Sequence, residues 1–401
     1  MAARTNRFEK HARKALIVLW AVTLVAGVAL LEWALSPGGG RYRASGLNPG
    51  PGPARHLVLR EWRRNTDYQF LPTEARKRYA QGGLPKTYRI ATDAEGFIEP
   101  ARRHAKPDVS IVFLGGSTTE CAFVLPENRF PHLAARQLEE ALGLKVNGIN
   151  AGLSGNNSMH ALILLLGKVI PLQPDFVVLM EAANDVGTLS AHGTYWVKEG
   201  SLRLVEGEKQ SVSEAGRVLV RSLIPYTSEF LQETVKSVRG FFRIRPAHAA
   251  TGAKGDAGNP LERQKAMAHA YESSLKSFVR LASAWGITPV LVTQVNVQPR
   301  SEVERRDIFI NRERLAGVVQ RPEEFATVHD HFNAIVREVA KSEGALLIDL
   351  AAARPWSFGD VYDAVHFTDH GSQQVAEIIA AALKDHVAAK AKASANPGKQ
   401  P

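Results

Sequence analysis

The chain has 401 residues, 45% of them hydrophobic, with one cysteine and a formal net charge of +10. That is enough apolar material for one large domain with appendages or for two domains, and a single cysteine excludes an internal disulfide framework. The charge is uneven: residues 1–106 hold 19 Lys and Arg against 8 Asp and Glu, and the remainder holds 31 against 32. A near-neutral body argues against nucleic acid as a partner and directs the N-terminal charge at a membrane surface or an acidic polymer.

Residues 1–14 are basic, with Arg4, Arg7, Lys10, Arg13 and Lys14. Residues 15–35 (ALIVLWAVTLVAGVALLEWAL) follow with one charge, Glu32. A helix needs roughly 17–25 such residues to cross a bilayer. The apolar core of a cleaved signal peptide is shorter, about 7–15 residues, and ends at small residues; Glu32-Trp33 makes a poor junction. A transmembrane helix is therefore expected. The basic residues ahead of it, set against Arg41, Arg43 and Arg55 behind it, put the N-terminus in the cytoplasm and the body outside, in the periplasm of a Gram-negative cell.

Residues 36–54 are rich in Pro and Gly and read as a flexible tether. Residues 55–107 form a mixed basic extension, with a short helix, a few extended pieces and a turn over 93–96 expected. From residue 108 the pattern is α/β. Strands are expected over 109–114, 146–150, 176–180, 289–294 and 345–348, and helices over 130–142, 158–169, 263–285, 329–342 and 371–387. Nearly continuous apolar strands alternating with amphipathic helices predict a three-layer sandwich around a central five-stranded parallel sheet. The domain is expected to span 108–387, interrupted by an insertion over 187–262. Within it, 226–242 reads as an amphipathic helix and 246–260 as a disordered stretch. The low-complexity tail, 388–401, is also expected to be disordered.

Four stretches at the carboxyl ends of the expected strands carry chemistry. In "VFLGGSTTE" (112–120), Ser117 and Glu120 fit the S-x-x-E capping box of a helix start, and Ser117 equally fits a hydroxyl presented at the crevice of an open sheet. In "NAGLSGNNS" (150–158), Gly155 can turn its backbone N–H toward a ligand, while Asn156 or Ser158 caps the next helix. In "MEAANDV" (180–186), Asn184 can extend its amide into the same crevice and Asp185 can brace the turn, although Asn-Asp is also a common turn signal. In "DAVHFTDHG" (363–371), Asp363 can fold back onto the His366 Nδ1–H, which leaves Nε2 free to take a proton from a hydroxyl. Thr368 or Asp369 can cap the last helix. A metal site at His366 and His370 lacks the glutamate of H-E-x-x-H and an evident third ligand. His329 and His331 read as surface residues.

The order Ser117, Gly155, Asn184, Asp363, His366, in the blocks GGSTT, LSGNNS, AAND and DAVH, resembles the SGNH/GDSL hydrolase superfamily over about residues 108–387. Two positions depart from its pattern: Gly116 stands where Asp is frequent, and Ala182 where Gly is frequent. The resemblance implies a flavodoxin-like sheet and a serine esterase that needs neither a metal nor an organic cofactor. It implies Ser117 as nucleophile, His366 as base, Asp363 as its orienting partner, and the Ser117 N–H, Gly155 N–H and Asn184 side chain as oxyanion donors.

The expected function is that of a membrane-anchored extracytoplasmic esterase acting on small or carbohydrate O-acyl esters, O-acetyl groups on an envelope or secreted polysaccharide above all. Tyr195 and Trp196 can line a sugar site, or belong to a loop packed on the body. An acyltransferase using the same residues, and a non-catalytic glycan-binding or assembly protein, are the alternatives.

Overall fold

The computed structural model describes residues 20, 23, 55–72, 84, 87–197, 200–207, 259–298 and 322–395. The chain divides into two units, Met1–Ala54 and Arg55–Pro401, and the features below belong to the second. Of the expected membrane span 15–35, only Trp20 and Thr23 are among the described residues; the stretches 226–242 and 246–258 lie outside them. Among the described residues, no helix is long and apolar enough to cross a membrane.

Three short strands come first: β1 (Arg55–Leu57), β2 (Asp67–Phe70) and β3 (Tyr88–Ala91). β2 and β3 pair antiparallel, with Tyr68 opposite Ile90. The expected turn follows, with Gly96 at φ +79. The main alternation then begins with β4 (Val109–Gly115), a single helical turn α1 (Ser117–Glu120), α2 (Phe130–Leu142) and β5 (Val146–Asn150). It continues through α3 (Ser158–Leu164), β6 (Phe176–Met180) and α4 (Ala183–His192). A short strand β7 (Val205–Gly207) pairs antiparallel with β1. The remaining elements are α5 (Pro260–Ala284), β8 (Thr288–Val292), α6 (Pro322–Glu343), β9 (Leu346–Ile348) and α7 (Asp369–Ala395).

Five of the strands form one sheet in the order β5-β4-β6-β8-β9, and all its pairs are parallel. This is the expected flavodoxin-like arrangement. β4, the first of the five in the chain, lies between the second and third, so the crossovers from β4 and from β6 leave in opposite directions and a crevice opens at their carboxyl ends. Its residues alternate between two cores as a strand requires. Val112 and Leu114 face the layer that includes Leu164, Val186, Tyr271 and Phe332, from α3 to α6. Val109, Ile111 and Phe113 face Phe130, Leu138, Val375 and Leu383, from α2 and α7. Each such side chain, removed from water, contributes about 1.5–3 kcal/mol. α2 shows how the sequence writes a layer: Phe130, Ala134, Ala135 and Leu138 make one buried stripe. Pro131 stands in the first turn, where a missing N–H costs nothing, and Gly143 closes the helix at φ +66.

The limits of the tail and of the interruption differ from expectation. The tail expected to be disordered from 388 is helical to Ala395, because α7 is nucleated upstream on buried Val375, Ile379 and Leu383, and Ala-Lys sequence propagates a helix once started. Ala391 packs on the same core. The interruption over 187–262 is also shorter at both ends, since α4 continues to His192 and α5 starts at Pro260.

Gly148, in the middle of β5, lies against α2, and a Cβ there would collide with the Pro131 carbonyl oxygen and come 2.8 Å from the Ala135 Cβ. Gly148→Ala is expected to lower the free energy of unfolding by about 1–3 kcal/mol, measured by urea denaturation; an unchanged midpoint would show that α2 can move away freely.

Candidate active site

Ser117 is the first residue of α1, directly after Gly115-Gly116 at the carboxyl end of β4. Gly116 is the N-cap and no side chain caps the turn, so the S-x-x-E capping box does not form. The turn ends at once at Cys121, in the left-handed region at φ 54. Both glycines are required by close approach. A Cβ on Gly115 would collide with the Thr119 hydroxyl, and one on Gly116 with Asn184 Nδ2. The latter would also sit 3.0 Å from Glu181 Oε1. Ser117 is half-buried, whereas Thr118, Thr119 and Glu120 are buried.

Asp363 and His366 lie on the loop before α7. Asp363 Oδ1 accepts the backbone N–H groups of Val365 at 3.0 Å and His366 at 2.9 Å, and Oδ2 faces His366 Nδ1 at 2.7 Å. Burial pushes the Asp363 carboxyl up, but attraction to His366 and these hydrogen bonds outweigh it and hold the group below the usual carboxylate range. An ionised carboxylate only accepts, so Nδ1 carries the proton and Nε2 is the acceptor. Ser117 Oγ lies 2.6 Å from that Nε2 and donates to it. Tyr362 stacks on the imidazole, with ring centroids 5.4 Å apart and planes 8° from parallel. A hydroxyl bonded to an oriented neutral imidazole can lose its proton as the oxygen attacks a carbonyl carbon.

Asn184 Nδ2 and the Asn156 carbonyl oxygen both lie against Gly116, the residue before Ser117. Gly155 adopts φ +81 in the turn after β5. Asn184 Nδ2 donates to Asn156 O at 2.7 Å, and the same side chain bonds the buried Glu181 carboxyl. The cap of α3 is Asn157, which accepts from the His160 N–H at 3.1 Å, rather than Asn156 or Ser158. Asn156 is instead bonded to Arg60, and the buried Ser158 hydroxyl donates to Asp185 Oδ1 at 2.6 Å. Asp185 thus does more than brace its own turn: it joins α4 to the start of α3. Burial pushes its carboxyl up to about 6, against the pull of hydrogen bonds from Ser158 and Tyr195.

Tyr195 does not line a sugar site. It is 3% exposed, and its hydroxyl bonds to Asp185, because a polar tip on an apolar ring satisfies a buried carboxyl from within the core. Trp196 beside it is 61% exposed. His370 Nε2 lies 3.5 Å from Asp360 Oδ1 while His366 is committed to Ser117 and Asp363, so the two do not form a ligand pair. Among the described residues, no three His, Cys, Asp or Glu side chains form a metal-binding group.

His329 is not on the surface: it is fully buried, whereas His331 is exposed. It belongs to a polar cluster beneath the site that sequence reading misses. Gln294, two residues past β8, donates to the Thr118 hydroxyl at 2.8 Å, and its Oε1 accepts the Ala183 N–H at 2.8 Å. His329 Nε2 approaches the same Oε1 at 3.2 Å and must therefore be the protonated ring nitrogen. Asn333 bonds the Gln294 backbone on both sides, at 2.9 and 2.8 Å. One side chain thus holds the residue next to Ser117 and the first residue of the helix that bears Asn184. The available signal was a glutamine ending an otherwise apolar strand. Glu120 was also missed. It is buried, accepts from Trp62 Nε1 at 3.0 Å and Ser154 N at 3.2 Å, and bonds the Ser154 hydroxyl. Burial raises its pKa despite these bonds.

A parallel sheet with an imidazole-bonded serine at its switch point is the architecture of an α/β hydrolytic enzyme. Residues 113–374 match the GDSL-like Lipase/Acylhydrolase family; the chain belongs to it and is an ester-hydrolysing enzyme. No curated protein matches the sequence. Among solved structures, the lipase/acylhydrolase from Enterococcus faecalis is 18% identical, covering 69% of this chain and 96% of that one, with a TM-score of 0.39. Axe2, an acetylxylan esterase from Geobacillus stearothermophilus, is 16% identical, with coverage of 70% and 94% and a TM-score of 0.38. LAE5, an alpha/beta hydrolase enzyme from the metagenome of Lake Arreo, is 16% identical, with coverage of 68% and 94% and a TM-score of 0.38.

Burial lowers the pKa of His329 to about 4. Between about pH 6.5 and 4 the unfolded chain takes up a proton here that the folded protein refuses, so this stability is present above pH 6.5 and lost as the pH falls toward 4. His132 and His160, also lowered to about 4 chiefly by burial, act in the same window. His329→Gln is expected to be less stable at neutral pH and to reduce the slope of unfolding free energy against pH in this window by up to about 1.4 kcal/mol per pH unit. Urea denaturation at a series of pH values measures this, and an unchanged slope would mean that His329 titrates normally.

Proposed function

We propose that the protein is a membrane-anchored serine esterase that hydrolyses O-acyl esters, with O-acetyl groups on an envelope or secreted polysaccharide as its substrate class. The observation that carries the catalytic reading is the continuous chain from Ser117 Oγ through His366 to Asp363 at 2.6 and 2.7 Å. Ser117 attacks the acyl carbon as His366 Nε2 takes its proton. Asp363 keeps the ring in the right tautomer and stabilises the imidazolium. The tetrahedral oxyanion is met by the N–H groups of Ser117 and Gly155 and by the Asn184 side-chain amide. His366 returns its proton to the leaving alcohol, then activates the water that cleaves the acyl-enzyme. The low charge of the body and the apolar run 15–35 behind five basic residues support anchoring with the enzyme outside the cytoplasm, where acylated glycans are available esters.

Ser117→Ala is expected to lower p-nitrophenyl acetate hydrolysis by at least about 10³-fold with unchanged thermal stability, and His366→Ala by a comparable amount. A fluorophosphonate should label Ser117 in the wild type alone, as read by mass spectrometry. Full activity in clean Ser117→Ala protein would remove the serine from its role. Asn184→Ala should cost about 10²–10³-fold in kcat, and wild-type turnover would point to a different oxyanion donor. For the anchor, alkaline carbonate extraction should leave the protein with the membrane fraction; release into the supernatant argues for cleavage or peripheral attachment. Released acetate from acetylated glycans, measured against matched glycans lacking acetyl groups, tests the substrate class.

A further inference from the structure

Arg60 belongs to the basic extension ahead of the sheet, outside the residues matched to the family. Its side chain nevertheless reaches the turn that bears Gly155. Nη2 donates to Ser154 O at 3.2 Å, and Nη1 donates to Asn156 Oδ1 at 3.0 Å. Asn156 Nδ2 answers by donating to the Arg60 carbonyl at 3.1 Å. A Cβ at position 155 would lie 3.5 Å from Nη2, an ordinary contact, so it is the backbone at φ +81, and not the guanidinium, that calls for glycine there.

Ser154 O and the Gly155 N–H belong to one planar peptide group. A cation bonded to the carbonyl oxygen fixes the plane of that group and polarises it, which makes the N–H at its other end a stronger donor. Ser154 is also held from its other side, where its N–H and hydroxyl bond the Glu120 carboxyl. Trp62, two residues after Arg60, ties the extension to the same carboxyl at 3.0 Å. The second donor is reached through Asn156, whose side chain Arg60 holds and whose carbonyl accepts from Asn184 Nδ2 at 2.7 Å.

The geometry points to Arg60 as a positioning residue of the oxyanion site, supplied by the N-terminal extension and acting on Gly155 through the 154–155 peptide and on Asn184 through Asn156. This rests on the roles proposed above for Ser117, Gly155 and Asn184. Arg60 stabilises charge that develops only in the transition state, so its loss falls on kcat rather than on KM.

The test uses the full chain and p-nitrophenyl acetate. Arg60→Ala is expected to lower kcat by about 10- to 100-fold, less than loss of a donor itself, with KM within about threefold of wild type. Arg60→Lys keeps the cation and the stem but cannot bridge both acceptors, and it should lose kcat as well. Guanidinium chloride at tens of millimolar should restore Arg60→Ala several-fold and leave the wild type unchanged. Arg89→Ala, which breaks an exposed ion pair with Asp67 in the same extension, controls for loosening of the segment and should keep wild-type kcat. A kcat for Arg60→Ala within threefold of wild type overturns the inference, as does a loss that guanidinium leaves unrestored. Ser117→Ala measured alongside separates the two readings. If it stays active, the catalytic assignment itself fails; if it is inactive while Arg60→Ala turns over normally, only the role of Arg60 fails.

Discussion

The hydrogen bond from Ser117 to His366 joins residues 249 positions apart. It can form only where the end of the first sheet strand and the loop before the last helix are held to within a few tenths of an ångström. Each end is fixed by local means. Asp363 binds two backbone N–H groups as well as the imidazole, and Tyr362 stacks on the ring, so the base is oriented before any substrate arrives. Ser117 is fixed by the tightness of its own turn, in which two glycines admit Thr119 and Asn184 at distances no Cβ would allow. The sheet carries the long-range part: parallel pairs across all five strands place the carboxyl ends side by side.

The loops at that edge are locked from below by polar groups that water does not reach. Burying such groups is costly unless each finds a partner. Gln294 meets this requirement for three elements at once, serving Thr118, the Ala183 N–H and His329. Asp185 does the same for Ser158 and Tyr195. Such clusters are rigid because any displacement leaves a buried donor or acceptor unpaired. They also make the fold sensitive to acid, since His132, His160 and His329 are neutral in the native protein and are protonated more readily once unfolded.

The extension before the sheet is part of this construction rather than a mere spacer. Arg60 and Trp62, just ahead of the antiparallel pair β2–β3, lie against the Ser154 turn and Glu120. Glu120 links the two halves of the site, because it follows Ser117 by one helical turn and bonds the segment that carries Gly155. A carboxylate that looks like half of a capping box thus connects the serine turn to the neighbouring strand's loop.

The sequence alone determined the strands, most helices, the parallel sheet and Ser117, Asp363 and His366 as candidates. These follow from apolar periodicity, which is local, and from polar residues that interrupt it at strand ends. Asp363 and His366 were legible because they are three residues apart and their loop is closed by its own backbone. Residues whose partners lie far along the chain were not. His329 and Tyr195 carry polar atoms, and nothing beside them in sequence announces Gln294 or Asp185, so His329 was expected at the surface and Tyr195 at a sugar site or in a loop packed on the body. For the same reason Arg60 reads as an ordinary charged residue and Glu120 as half of a capping box. Only the tertiary structure decides which polar side chains are buried, because that depends on whether a distant donor or acceptor arrives to satisfy them.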